Sequence, residues 1–241
     1  PDILYFMTDP RFYRWLWDME DEIRSLVPLV YYHVWDNYPP PVYNEVYYKS
    51  TDVIATISRV TSDIVQIVSP EVEEHYIPHA VDDKLFCPKD NKEVREIRER
   101  ITDGDPDRFV VFWNNRNARR KMPGSLMMWF KKFLENTGAN ATLVMHTDLK
   151  DVHGQPLDYL ATNMGYDTGE IVFSQEKMDA KDLANLYNAV DVTINISDAE
   201  GFGLATLESL SCGVPIIVNM TGGLQEQVTD GENWFGIGIE P

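Results

Sequence analysis

From residue 109 onward, short apolar runs alternate with amphipathic stretches, and this alternation limits the fold more than any other feature of the chain. Phe109 to Trp113, Ala141 to His146, Ile171 to Phe173, Val190 to Ile196 and Val214 to Val218 read as buried strands. Helical patterns fall between them. Pro123 opens one and Gly138 closes it; others run from Pro156 to Met164, from the N-cap Asp179 to Ala189, from Gly203 to Cys212 and from about Gly223 to Val228. Strands separated by helices need crossover connections, so they pair in parallel and are covered on both faces. The expected class is α/β, with a doubly wound parallel sheet in the C-terminal half.

The first 75 residues look like the latter half of a second α/β unit, with strand-like runs at Ile3 to Met7, Leu29 to His33 and Val53 to Ile57. Between the halves lie Ile77-Pro78-His79-Ala80-Val81-Asp82 and Phe86-Cys87-Pro88, where proline suits a crossover. The expected division is residues 1–76, a crossover at 77–90, and 91–241, whose first helix includes Glu93 to Arg100. A chain of 241 residues with 44% hydrophobic and 25% charged residues has room for two modest domains.

No apolar run approaches the roughly 20 residues that span a bilayer, and no secretory signal pattern is seen. The two cysteines, Cys87 and Cys212, match no metal or redox spacing and read as reduced thiols of a cytoplasmic protein. A net charge of −18 repels nucleic acid. An anionic small molecule would need a local basic cluster, and Arg116, Arg119, Arg120 and Lys121 supply one.

Two segments carry chemistry. Glu200-Gly201-Phe202-Gly203-Leu204 follows a strand and runs into a helix that holds Glu208. Ligands of open parallel sheets bind at such carboxyl ends. Glycine lets the backbone come close, and the helix start offers unpaired N–H groups. Glu208 has the chemistry to accept from a vicinal diol such as a ribose, although an exposed helical glutamate is an equally good reading of that residue alone. The second segment, Asn114 to Lys121, follows the first strand of the same half. Its arginine fork and lysine point charge suit a diphosphate.

Together these pieces resemble the retaining GT-B glycosyltransferases of family 4. The matching elements are Glu-x7-Glu (Glu200, Glu208) with its Gly-Phe-Gly core, Ser211 to Val218, Arg-x4-Lys (Arg116, Lys121), Ile77 to Asp82, and Thr221-Gly222-Gly223. The resemblance covers roughly residues 29 to 231 and implies two Rossmann-like domains facing a cleft, the N-terminal one lacking its first half. It implies that Glu208 holds the donor ribose and that Arg116 and Lys121 hold its diphosphate. It implies that Glu200 and the amides of Gly201, Phe202, Gly203 and Leu204 contact the transferred sugar, and that the base packs near Phe173 and Ser174. His33 would end a strand beside the reacting centre, with Trp35, Asp36 and Asn37 on the acceptor side; Tyr31, Tyr32 and Trp113 read as core.

The implied reaction moves a hexose from a nucleotide diphosphate sugar to a hydroxyl of a carbohydrate or glycoconjugate. It proceeds with retention and needs neither cofactor nor metal. Docking of the full-length protein on a membrane surface stays open. The sequence departs from the family at Asn115, where a glycine is usual, and at His79-Ala80, where Asn-Gly is usual. The chain also ends soon after Gly231. A retaining glycosidase using Glu200 and Glu208 is a poorer account, because one loop and helix rarely set two carboxyls across a sugar. A nucleotide-sugar-binding module without transfer, or a sugar-nucleotide epimerase, remains as an alternative. A dinucleotide oxidoreductase lacks its Gly-x-Gly-x-x-Gly, and a P-loop nucleotidase its Gly-Lys-Ser/Thr.

Overall fold

The computed structural model describes residues 1–36, 38–166 and 169–240. Among these residues the chain forms a four-stranded and a six-stranded sheet, each wholly parallel. Contacts divide it into two units. The first comprises Pro1–His79 with Ala199–Gly203 and Thr221–Glu226; the second comprises Ala80–Asp198, Leu204–Met220 and Gln227–Pro241.

In the first unit, β1 (Leu4–Thr8), β2 (Leu29–His33), β3 (Val53–Thr56) and β4 (Glu73–Tyr76) lie side by side in sequence order. The helices α1 (Arg14–Trp17) and α2 (Glu20–Arg24) connect β1 to β2, α3 (Glu45–Lys49) leads to β3, and α4 (Arg59–Val68) leads to β4. β2 is an inner strand buried on both faces, which explains its continuous apolar pattern. Phe6 stacks on Tyr31 with centroids 5.0 Å apart, and Trp17 meets both rings edge-on. α4 starts at Ser58, whose hydroxyl caps the Thr61 amide, and buries Thr61, Ile64, Val65 and Val68 at helical spacing.

β4 has no counterpart in the sequence pattern. It is an edge strand of Glu73, Glu74, His75 and Tyr76, and only an edge tolerates so polar a run. Glu74 is nevertheless used, accepting from the hydroxyls of Thr56 and Ser62.

The second unit opens with α5 (Lys92–Thr102), capped by Asn91. There follow β5 (Phe109–Asn114), α6 (Pro123–Thr137), β6 (Ala141–His146), α7 (Leu157–Asn163) and β7 (Ile171–Ser174). The chain continues through α8 (Ala180–Asn188), β8 (Val192–Asn195), α9 (Leu204–Ser211), β9 (Ile216–Asn219), α10 (Leu224–Val228), which straddles the two groups of residues, and β10 (Gly236–Ile239). The strand order is β10-β9-β8-β5-β6-β7. Alternate residues of β5 serve two cores. Val111 and Trp113 pack with Leu126, Met127 and Phe130 of α6, while Val110 and Phe112 pack with Ile101, Ala184 and Tyr187. Helices therefore cover both faces, as the alternation of the sequence predicts.

Two local expectations are met in detail. Pro123 is the first residue of α6 and Gly138 closes it in the left-handed region at φ +65°; Asp179 caps α8 through the Asp182 amide. β10 escapes the sequence pattern because two of its four residues are glycine. Gly236 runs so close to the carbonyl of Ile216 that a side chain there has no room. No helix among the described residues is long and apolar enough to cross a membrane.

Candidate functional site

The strand order reverses between β5 and β8. From β5 the chain builds outward through β6 and β7, then returns to the other side of β5 to lay down β8. The loops after these two strands leave the sheet at its switch point, the place where open α/β sheets bind ligands. The Asp198 amide donates to the carbonyl of Arg120 at 2.9 Å, joining the two loops.

The loop after β5 is tightly built. Asn117 is fully enclosed; its side-chain amide donates to the carbonyl of Gln155 at 2.8 Å and accepts from the Gln155 amide at 3.0 Å. Gln155 also accepts from the Gly124 amide at the start of α6. A single 3₁₀ turn over Arg119–Lys121 brings Lys121 inward, leaving it 6% exposed, while Arg119 and Arg120 stay exposed. Arg116 projects, and its Nε and Nη2 donate to the two oxygens of Asp151. That guanidinium, with the His153 amide, holds the Asp151 carboxyl down at about 2.

Glu208 sits in the second turn of α9 and is half-buried. Its Oε2 accepts from the Tyr187 hydroxyl at 2.8 Å, and that hydroxyl accepts from Asn114 Nδ2 at 2.9 Å. The end of β5, α8 and α9 are thus linked by one chain of hydrogen bonds. Burial pushes the Glu208 carboxyl above its usual range, and the Tyr187 bond pulls in the opposite direction. Burial and the Glu208 charge push the Tyr187 hydroxyl well up. Sequence pattern does not single out Tyr187, because a tyrosine on the apolar face of an amphipathic helix reads as core. It is core as well, with its ring edge-on to Phe112 at 5.2 Å.

Phe173 and Ser174 end β7, the far edge of the sheet and two strands from β5. They line an open cavity of about 430 Å³ with Ile97, Arg100, Val172 and Glu176. Ser174 Oγ lies 2.9 Å from His146 Nδ1. Leu204 is the exposed first residue of α9.

The first unit contains the loop that begins the Glu-x7-Glu motif. Gly201 lies against the chain that leaves β2; a Cβ there would come 3.1 Å from the carbonyl of Val34 and 3.9 Å from Asp36 Cβ. Phe202 is buried, edge-on to the His79 ring at 5.4 Å. The carbonyl of Glu200 accepts from the Gly223 amide at 3.0 Å, and a side chain at 223 would strike Phe202 Cα at 2.7 Å. Gly203 stands at φ +93°, which only glycine adopts without strain. The Gly222-Gly223 pair therefore packs directly against the backbone of the Glu200 loop.

Family resemblance puts His33 beside a reacting centre, but the structure gives its ring no exposed edge: its exposure is 0%. The single proton of the Tyr31 hydroxyl goes to the carbonyl of Thr8 at 2.8 Å. That hydroxyl must then accept from His33 Nδ1–H at 2.7 Å, leaving Nε2 to accept from the Tyr48 hydroxyl at 2.6 Å. Burial lowers the imidazole to about 3, so it is neutral, with this one tautomer. Tyr31, Tyr32 and Trp113 are buried, in keeping with a core role. Trp35 packs on the core of the first unit, and its carbonyl accepts from Thr61. Asn37 lies outside the described residues.

Residues 94–239 match the family model for glycosyl transferases group 1. Among curated relatives, a D-inositol 3-phosphate glycosyltransferase of Paenarthrobacter aurescens is 29% identical over 156 residues, covering 64% of this chain and 36% of the relative. A GDP-mannose-dependent alpha-(1-6)-phosphatidylinositol monomannoside mannosyltransferase of Mycolicibacterium smegmatis is 29% identical over 192 residues, covering 75% and 47%. The chain thus spans less than half the length of either. Among solved structures, Anabaena HepE in complex with UDP-glucose aligns with TM-score 0.78 at 18% identity, over 100% of this chain and 65% of that one. Sucrose-phosphate synthase of Thermosynechococcus elongatus aligns with TM-score 0.75 at 19% identity, over 100% and 61%. At these identities the likeness concerns the fold, which is the GT-B fold of two parallel-sheet α/β domains. With more than half of its residues inside the family match, the chain belongs to the group 1 glycosyl transferases.

Proposed function

We propose that this protein transfers a hexose from a nucleotide diphosphate sugar to a hydroxyl of a carbohydrate or glycoconjugate, with retention at the anomeric carbon and without a metal. One observation carries the reading. A half-buried carboxylate, Glu208, is tied through Tyr187 and Asn114 to the strand end from which the basic loop departs, at the switch point of a doubly wound sheet.

In this reading Glu208 accepts from the ribose hydroxyls. Tyr187 occupies one lone pair of Oε2, and a carboxylate has about four acceptor positions. Arg116 and Lys121 take the charge of the diphosphate, the guanidinium through paired bonds and the ammonium as a point charge. Their greatest effect comes as the sugar C1–O bond breaks and charge grows on the departing phosphate. The acceptor oxygen bonds C1 on the face the phosphate leaves, and the acceptor proton passes to a phosphate oxygen. Glu200 and the amides of Gly201, Phe202, Gly203 and Leu204 contact the sugar, and the base lies by Phe173 and Ser174. Asp36 and Trp35 belong to the acceptor side. His33, neutral and enclosed, positions the end of β2 instead of handling a proton. The cytoplasm, where nucleotide sugars are made, is the compartment this activity suits.

Calorimetry with UDP, GDP and ADP in the presence of EDTA tests the reading. One of the three binds with micromolar affinity, and Arg116→Ala weakens it about tenfold to a hundredfold, the loss of a charge-assisted pair. Binding of none, or binding indifferent to Arg116→Ala, contradicts it.

A further inference from the structure

We propose that Asp151 is a positioning residue for the donor diphosphate: its carboxylate grips one edge of the Arg116 guanidinium and turns the other edge outward as a ready phosphate fork. The proposal rests on the nucleotide-sugar reading above and adds to it a residue outside the matched motifs.

The grip is side-on. Nε donates to Oδ2 at 2.5 Å and Nη2 donates to Oδ1 at 3.1 Å. Guanidinium has five N–H donors in one plane, so the edge formed by Nη1 and the second Nη2 hydrogen is left over. That leftover edge is the one that matches two phosphate oxygens. The exposures differ accordingly: the Arg116 side chain is 62% exposed and that of Asp151 only 11%. The carboxylate is the anchored member and the arginine the presented one.

Asp151 is itself fixed before any ligand arrives. Oδ1 accepts from the His153 amide at 2.9 Å, and the backbone carbonyl accepts from the Gly154 amide at 2.9 Å. Gly154 packs so closely on Asn117 that no side chain fits there. One residue on, Asn117 and Gln155 exchange two hydrogen bonds. The loop after β5 and the loop after β6 are therefore clamped at adjacent points, one buried and neutral, the other charged and at the surface. An exposed ion pair adds little to stability, whereas a long arginine already held in one rotamer loses less freedom when it binds an anion.

Pyrophosphate is the probe, titrated calorimetrically in EDTA into the wild type, Asp151→Asn, Arg116→Ala and the double variant. Asp151→Asn keeps the oxygen that serves the His153 amide and replaces the acceptor of Arg116 Nε with a donor. It weakens pyrophosphate binding by about tenfold, the cost of ordering one long side chain on binding. In the Arg116→Ala background the same change has no effect, and the melting temperature does not move. Equal or tighter binding by Asp151→Asn overturns the proposal, since the carboxylate would then be neutral or a competitor of phosphate. An equal loss in the Arg116→Ala background overturns it too, pointing to loop packing. Wild-type binding that Arg116→Ala abolishes and Asp151→Asn leaves unchanged ends this inference alone. A wild type that binds no pyrophosphate contradicts the diphosphate site, and this inference with it.

Discussion

Lowering the pH from 6.5 to about 3 strips about 4–5 kcal/mol from the stability of the first unit through His33 alone, at about 1.4 kcal/mol per pH unit. The imidazole is neutral in the fold, enclosed between Tyr31 and Tyr48, and its affinity for a second proton is depressed from 6.5 to about 3. The unfolded chain takes up that proton below 6.5 and the folded one does not. The stabilisation is therefore whole above 6.5 and disappears as the pH falls through the folded value. Of the charged groups acting on the ring, Asp9 alone pulls toward protonation, and burial outweighs it. Hydrogen exchange of the β2 and β3 amides as a function of pH checks this. Protection should fall steeply across that window in the wild type and far less in His33→Gln, which keeps a donor and an acceptor but has no titrating ring. Equal slopes in the two proteins would refute the assignment.

The second large effect concerns Glu208. On the proposed donor reading, Glu208→Ala removes two charge-assisted bonds to the ribose, at roughly 1.5–3 kcal/mol each, and so is expected to lower nucleoside diphosphate affinity by about a hundredfold or more. Tyr187→Phe leaves the carboxylate in place without its donor and lowers affinity by about tenfold. The pH dependence separates this from a packing defect. The carboxyl is already raised by burial, the Tyr187 bond opposes that rise, and the bond is lost in Tyr187→Phe. On the proposed reading the ribose is held by the ionised form, so affinity is expected to fall as the pH drops through the carboxyl's pKa. In Tyr187→Phe that fall begins at a higher pH than in the wild type. A parallel pH profile with uniformly weaker binding would mean that Tyr187 acts only as core.

What the sequence reveals here, and what it hides, follows from periodicity. β5 and β6 announce themselves because inner parallel strands are apolar on both faces. β4 and β10 do not, because an edge admits Glu73, Glu74 and His75 in one case and Gly236 and Gly238 in the other. Arg116, Lys121, Glu200 and Glu208 stand out as candidates because strand, loop and helix stand in a short fixed order. Asp151 is not, since it meets Arg116 across 35 residues between two loops, and loop contacts have no period. The environment of His33 is half legible. Tyr31 precedes it by two residues and so must share its face of the strand, but Tyr48 arrives from α3. The family pattern places the histidine beside the reacting centre, and the fold encloses its ring between Tyr31 and Tyr48.

The central claim is that Glu208 reads the ribose of a nucleoside diphosphate bound at the switch point. Its most direct test compares the nucleotide that binds best with its 2′,3′-dideoxy analogue, in the wild type and in Glu208→Ala. The wild type should prefer the ribonucleotide by about a hundredfold, and Glu208→Ala should hardly distinguish the two, because the discriminating bonds are those the carboxylate accepts. Equal discrimination by both proteins, or none by the wild type, would place the ribose elsewhere and contradict the account.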